Sequence, residues 1–112
     1  MLKSKKCENF KDLKIISRDI HSDSRGEFFN IFNFDDMKKF GWTDQVKQIN
    51  FSQTLKKGTV RGMHMQFSKN AEYRLVTCIK GAIFDVAVDL RKQSKTYLKY
   101  FSIQLDKVNR LS

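Results

Sequence analysis

Residues 73–91, YRLVTCIKGAIFDVAVDLR, contain two apolar runs on either side of Lys80 and Gly81. In the second run a large apolar side chain stands at every other position from Phe84 to Leu90, which is typical of a strand with one buried face. A Lys-Gly pair between two such runs favours a hairpin turn, although Asn-Gly would be a stronger signal. The stretch therefore predicts two antiparallel strands and a β-rich fold.

The same alternation extends through most of the chain, which has 112 residues and contains no proline. It predicts a short helix in DDMKKFG, capped by Asp35 and ended by Gly41. About seven short strands and one small helix, with no internal repeat, are typical of an antiparallel sandwich or barrel of the jelly-roll kind. We therefore expect an all-β fold and a single domain over residues 1–112. Besides the two runs above, the predicted strands cover residues 13–20, 27–32, 45–52, 60–67 and 95–105.

Composition narrows the class of protein further. Hydrophobic residues make up 40% of the chain and include ten phenylalanines, which indicates a globular domain and not a disordered one. No apolar run approaches the roughly 18 residues of a membrane helix, and the N-terminus lacks the apolar region of a signal peptide. Cys7 and Cys78 form no CxxC pair. These features predict a cytoplasmic protein with reduced thiols and no membrane association.

The formal net charge of +10 favours an anionic partner, such as a phosphorylated small molecule or a nucleic acid. The lysines are scattered singly and in pairs, however. The sequence has no arginine-rich helix, no zinc-finger spacing and no aromatic RNA-binding signature. We therefore expect no nucleic-acid partner.

The segment VRGMHMQF places one of the two histidines, His64, within a predicted strand. Alternation assigns Gly62, His64 and Gln66 to one face and the apolar residues between them to the core side. An imidazole on the polar face of a strand can be a general base near neutral pH. It can also be a surface histidine or a hydrogen-bonded structural histidine. The position of His64 in the sequence alone favours this second interpretation.

Other polar residues have two interpretations as well. Arg25, Arg61 and Arg74 can each form a paired hydrogen bond with phosphate or carboxylate oxygens, or remain surface arginines. Simple alternation places Arg61 on the strand face that points away from that of His64. Asp85 and Asp89 share a strand face, where they can orient a base or contact nearby basic residues. Cys78, in an apolar run, is expected to be a small buried side chain.

A metal site is not expected. Zinc and iron sites in proteins use three or four ligands, commonly histidines with a carboxylate. Metal-binding cupin barrels have a His-x-His pair where this chain has His64 followed by Met65 and Gln66. The other histidine, His21, is expected in an early loop.

Four segments together resemble, in order, the dTDP-4-dehydrorhamnose 3,5-epimerase family: DSRGEFFNIF, VKQINFSQTLKKGTVRGMHMQ, NAEYRLVTCIKGAIFDVAVDLRKQSKTY and IQLDKVN. The resemblance implies a cupin-like antiparallel jelly roll, usually a homodimer. It also implies an isomerase that epimerises a nucleotide-linked 4-keto-6-deoxy sugar without metal or organic cofactor, in deoxysugar and polysaccharide biosynthesis. The expected partner is thus a nucleotide-sugar substrate.

Matched position by position, the resemblance implies a role for seven residues. His64 corresponds to the catalytic base, and Arg74 stands where the family has a lysine near the keto oxygen. Asn30 stands where the family often has a substrate-contacting glutamate. The positions that hold the substrate's phosphates, nucleotide or sugar correspond to Arg25, Gln48, Asn50 and Arg61.

Later motifs of the family have no counterpart before Ser112: a second histidine, a tyrosine acid and an aspartate that orients the base. We therefore expect the N-terminal part of an epimerase-like protein, or a degenerate member with an incomplete jelly roll. The alternative functions are a non-catalytic sugar-nucleotide-binding or dimerising cupin domain, a basic nucleic-acid binder, and a sugar ketoisomerase on the same fold.

Overall fold

A computed structural model describes residues 1–67 and 71–112. Within them the chain divides into two compact units, one formed by Met1–Trp42 with Leu75–Ser112 and the other by Thr43–Arg74. The prediction of a single domain over the whole chain stays a prediction. The regular elements of the described residues are β1 (Leu2–Lys6), β2 (Lys14–Arg18), β3 (Ile20–Asp23), β4 (Gly26–Phe29), α1 (Phe34–Lys39), β5 (Ala82–Val88) and β6 (Tyr100–Asp106).

All of these elements lie in the first unit, where the strands pair as antiparallel ribbons: β1 with β2, β3 with β4, and β5 with β6. In the first ribbon Leu2 lies opposite Arg18 and Ser4 opposite Ile16. Leu2 and Ile16 are buried with Met37 of α1, which forms a small apolar core. The partly buried side chains that pack on it are Phe32, Phe40, Trp42 and Leu75.

Helix α1 is present where the sequence predicts it, but its cap is different. The side chain of Asn33, and not of Asp35, accepts the hydrogen bond from the backbone N–H of Asp36 at 3.0 Å. The predicted cap was wrong because the helix begins two residues earlier than expected. Asp35 therefore lies in the first turn, where its negative charge interacts favourably with the positive end of the helix dipole. Gly41, at φ +103°, follows the last turn as predicted.

The β3–β4 ribbon turns through two residues, Ser24 and Arg25, between the paired Asp23 and Gly26. The Asp23 carboxylate accepts a hydrogen bond from the backbone N–H of Arg25 at 2.8 Å. Gly26, with φ +135°, adopts a conformation that other residues rarely take. A two-residue turn thus joins β3 and β4. His21 lies in β3 opposite Phe28, and not in the loop that was expected for it.

The β5–β6 ribbon confirms two predicted strands but not the predicted hairpin. β5 pairs with β6 over seven positions, from Ala82 opposite Asp106 to Val88 opposite Tyr100. The hairpin at Lys80 and Gly81 is wrong, because residues 71–79 form no strand and β5 takes its partner from further along the chain. Leu105 is only 1% exposed, and Cys78 is buried as expected.

The strands predicted for residues 45–52 and 60–67 are not formed in the second unit, as far as residues 43–67 and 71–74 are described. Alternation is a property of side chains, whereas a strand also needs a neighbour for its backbone hydrogen bonds, and no described residue supplies one. Several large apolar side chains are consequently exposed, including Ile49, Leu55 and Val60. A turn is present at Gly58, where the N–H of Thr59 donates to the Lys56 carbonyl.

Hydrogen bonds between distant residues close the first unit. Ser112 pairs through its backbone with Ile16 at 2.8 and 3.0 Å. Arg91 donates to the carboxylate of Asp12, 79 positions earlier, and Arg110 donates to that of Glu27, 83 positions earlier. The two parts of the unit, which flank residues 43–74 in the chain, are thus joined by polar contacts.

Arg18, at the end of β2, is buried with only 8% of its surface exposed. Its Nη2 donates to the Ser112 hydroxyl at 2.5 Å, and its guanidinium carbon lies 6.0 Å from the centre of the Phe29 ring. Its Nε and Nη1 find no acceptor among the described residues. Burial without a counterion lowers the pKa of this guanidinium below its usual value.

Candidate functional site

His64, the expected base, lies in the second unit with its side chain exposed. No described residue forms a hydrogen bond or ion pair with its ring. Its Nδ1 lies 3.1 Å from the point that a Cβ atom at Gly62 would occupy. An exposed imidazole with unengaged nitrogens can accept a proton from a bound molecule near neutral pH.

Arg61 is held within its own unit by two neighbours. Its Nε donates to the Thr54 hydroxyl at 3.2 Å, and its Nη2 donates to the Gln53 carbonyl at 3.4 Å. Neither partner is a carboxylate, so the positive charge is not neutralised by these contacts. The guanidinium therefore keeps its attraction for a phosphate.

Gln48 and Asn50 are brought together by the structure. The Gln48 Nε2 donates to the Asn50 Oδ1 at 2.9 Å, so both amides lie on the same side of the backbone. The bond leaves the Gln48 carbonyl as an acceptor and the Asn50 amide nitrogen as a donor. A nucleotide base or a sugar hydroxyl can form hydrogen bonds with this acceptor and this donor.

Arg74 lies at the end of the second unit and forms an ion pair with Glu72, in which Nε donates to Oε1 at 2.9 Å. About half of each side chain is exposed. The bond occupies the Nε edge of the guanidinium, and the two terminal nitrogens remain able to donate to another oxygen. Sequence reasoning missed Glu72, although an acid two residues before an arginine is a visible signal.

Arg25 and Asn30 belong to the first unit. Arg25 donates from Nε and Nη2 to one carboxylate oxygen of Asp23, at 3.1 and 2.6 Å. These bonds lower the pKa of Asp23 and raise that of Arg25. Sequence reasoning also missed Asp23, which, like Glu72, is an acid two residues before an arginine. Asn30 follows β4 directly and is exposed.

Asp89, which was a candidate for orienting the base, has a different role. Its carboxylate accepts hydrogen bonds from the side chain and backbone N–H of Arg91 and from the hydroxyls of Ser94 and Thr96. The Arg91 bonds first, and then the hydroxyls, hold the pKa of Asp89 well below its usual range. Asp89 therefore contacts a nearby basic residue, as the second interpretation expected, and orders the β5–β6 connection.

Within residues 1–67 and 71–112, no three histidine, cysteine or acidic side chains are grouped as metal ligands would be. The helix in this part of the chain is also too short to cross a membrane.

Comparison with known proteins identifies the family. The family model described as dTDP-4-dehydrorhamnose 3,5-epimerase matches residues 8–112. The epimerase of Salmonella typhimurium is 36% identical over 100 residues, covering 88% of this chain and 54% of its own length. That of Methanothermobacter thermautotrophicus is 40% identical over 96 residues, covering 86% of this chain and 51% of its own length. The chain spans about half the length of these relatives.

Solved structures give the same result. The Bacillus anthracis epimerase, crystallised with TDP and PPi, superposes with a TM-score of 0.91 at 32% identity, over 99% of this chain and 63% of that one. The Legionella pneumophila epimerase, in complex with dTDP-4-keto-L-rhamnose, also gives 0.91, at 34% identity, over 99% of this chain and 58% of that one. The expected cupin-like jelly-roll class is confirmed by this likeness. The chain belongs to the dTDP-4-dehydrorhamnose 3,5-epimerase family.

Proposed function

We propose that this chain provides the base and most of the substrate-binding side chains of a cofactor-independent isomerase that epimerises a dTDP-linked 4-keto-6-deoxy sugar. The observation that supports the proposal most directly is the exposed ring of His64, to which no described residue bonds, within a chain matched by the epimerase family from residue 8 to its end. An imidazole without a hydrogen-bond partner among residues 1–67 and 71–112 is available to a substrate.

The proposed reaction begins with a weakly acidic proton on a carbon beside the sugar ketone. His64 removes this proton, and a positioned base contributes roughly 10²–10⁴-fold to such a step. Negative charge then develops on the keto oxygen, where the terminal nitrogens of Arg74 can donate hydrogen bonds. Return of a proton to the opposite face inverts the carbon.

The remaining residues are proposed to hold the substrate. Arg25 and Arg61 bind the diphosphate, because a guanidinium forms paired, charge-assisted hydrogen bonds with phosphate oxygens. Gln48 and Asn50 bind the nucleotide or sugar through the amide groups left open by their mutual hydrogen bond. Asn30 contacts the sugar. A chain with a net charge of +10 also attracts a dianionic substrate.

The Legionella relative is bound to dTDP-4-keto-L-rhamnose, which supports a substrate of this class. We also propose that the protein acts as a homodimer in the cytoplasm, in the synthesis of dTDP-rhamnose for cell-surface polysaccharide such as O-antigen. Its two cysteines are free thiols, in keeping with a reducing compartment. Exposed apolar side chains such as Leu55 and Val60 are surfaces that a second copy can cover.

The test is incorporation of solvent deuterium into dTDP-4-keto-6-deoxyglucose, together with the affinity for that compound. His64→Ala should abolish exchange while leaving the affinity nearly unchanged, and His21→Ala, which alters the other histidine, should leave both unchanged. Arg61→Ala should weaken binding. Exchange that survives in His64→Ala would exclude this residue as the base. Binding by the parent chain without any exchange would favour the alternative, a non-catalytic sugar-nucleotide-binding domain.

A further inference from the structure

Gly62 differs from Gly58, the other glycine of its unit, in the atoms that surround it. Its φ of +98° is one that residues with side chains rarely adopt. A Cβ atom added to Gly62 would lie 3.1 Å from Nδ1 of His64 and 3.5 Å from Cε1. The first distance is shorter than an ordinary van der Waals contact, so the His64 ring occupies the space that a side chain at position 62 would need.

The contact matters because the described residues offer the His64 ring no hydrogen bond. In many active sites a carboxylate or carbonyl fixes the orientation of an imidazole. Here Nδ1 of the ring lies next to the space that a Cβ atom at Gly62 would occupy, and the side chain is otherwise exposed. A base must lie within hydrogen-bond reach of the proton it removes, about 2.6–3.2 Å between heavy atoms.

We propose that Gly62 is a positioning residue for His64: the missing side chain allows the imidazole to lie against the backbone in the orientation that proton abstraction requires. This inference rests on the proposed function of His64 as the base. A methyl group at position 62 would push the ring away from that orientation. The ring would have to move by a few tenths of an ångström. Because displacement of a catalytic group by about 1 Å can reduce a rate about 10²-fold, we expect a loss of about tenfold here.

Gly58 supplies a matched control. It lies in the same unit, four residues earlier, and its φ of +84° is also one that favours glycine. A Cβ added at Gly58 would meet nothing within 4 Å. Gly58→Ala and Gly62→Ala therefore impose a similar backbone strain, and only the second places a methyl group against the imidazole.

The first measurement is the NMR spectrum of the two imidazole rings, with His21 as the internal reference. Gly62→Ala should shift the His64 ring signals and leave those of His21 in place, whereas Gly58→Ala should shift neither. Unchanged His64 signals in Gly62→Ala would overturn the inference.

The second measurement separates binding from chemistry. Gly62→Ala should slow deuterium exchange into dTDP-4-keto-6-deoxyglucose by about tenfold or more while changing the affinity by no more than about twofold. Gly58→Ala should retain the exchange rate. Equal rates in the two variants would contradict a positioning role. If the parent chain itself shows no exchange, the proposed function fails, and the NMR comparison still decides whether Gly62 sets the ring orientation.

A third measurement applies even if Gly62→Ala is too unstable for the first two. In a His64→Ala background there is no ring for the methyl group to contact. Gly62→Ala should then cost no more stability than Gly58→Ala does in that background. A larger cost that persists without the ring would show that the strain at Gly62 is unrelated to His64, and would overturn the inference.

Discussion

Replacement of Arg18 by methionine should stabilise the chain, because it removes a buried cation whose Nε and Nη1 find no acceptor among the described residues. Each buried donor left unpaired costs about 1–3 kcal/mol. The substitution also loses the hydrogen bond to Ser112, worth about 1.5–3 kcal/mol for a charged donor, and a cation–π contact with Phe29 of about 0.5–1 kcal/mol. With two unpaired donors, the midpoints of these ranges give a net stabilisation of about 1 kcal/mol for methionine. This agrees with the general observation that replacing a buried ion pair by apolar residues is often neutral or stabilising.

The assay is urea denaturation followed by circular dichroism, with linear extrapolation to water. Arg110→Met is the matched control. Its guanidinium lies over the same Phe29 ring, at 5.0 Å, but is paired with Glu27 at 2.6 Å. The control should lower the free energy of unfolding, whereas Arg18→Met should raise it. A loss of about 1 kcal/mol or more in Arg18→Met would refute the reasoning and show that the buried guanidinium is net stabilising.

Two further predictions concern the β5–β6 ribbon. Because its hydrogen bonds depress the folded-state pKa of Asp89, this carboxylate contributes stability above its unfolded pKa of about 3.9, and that contribution is lost as the pH falls further. Asp89→Asn should therefore lower the thermal midpoint at pH 7. It should also reduce the drop in thermal midpoint between pH 7 and about pH 3. Parallel curves of thermal midpoint against pH for the two proteins would contradict this prediction. Leu105→Ala should cost about 2–5 kcal/mol in urea denaturation, because Leu105 is 1% exposed. Ile83→Ala, at the opposite position and 41% exposed, should cost clearly less, and equal losses would exclude a buried Leu105 as the cause.

The sequence predicts that β5 and β6 are strands because their alternation is strong, but it assigns the wrong partner to β5. It fails at residues 45–52 and 60–67, where the alternation is equally clear. The difference is physical: side-chain alternation is local, but the backbone partner of a strand is chosen by distant parts of the chain. β1 shows the opposite error, since three lysines in five residues do not suggest a strand, yet Leu2 is buried and the segment pairs with β2.

The candidate residues of the site came from the family resemblance more than from chemistry visible in the sequence. Spacing alone left His64 as a structural or catalytic histidine, and left each arginine as a surface residue. The structure adds three features that spacing did not predict. Asp23 pairs with Arg25, Glu72 pairs with Arg74, and the His64 ring lies beside the space that a Cβ atom at Gly62 would occupy. These contacts depend on turn geometry and rotamers, which short-range patterns do not determine.

The discontinuity of the first unit has a consequence for synthesis on the ribosome. The ribbons β1–β2 and β3–β4 are complete within the first 42 residues and can form as the chain emerges. Their bonds to Arg91, Arg110 and Ser112 wait until some fifty to seventy more residues have been translated. Until then the backbone groups of Ile16, at the edge of β2, have no partner, and the nascent chain has to avoid aggregation through this edge. A chaperone that covers the edge would act before Ser112 is translated.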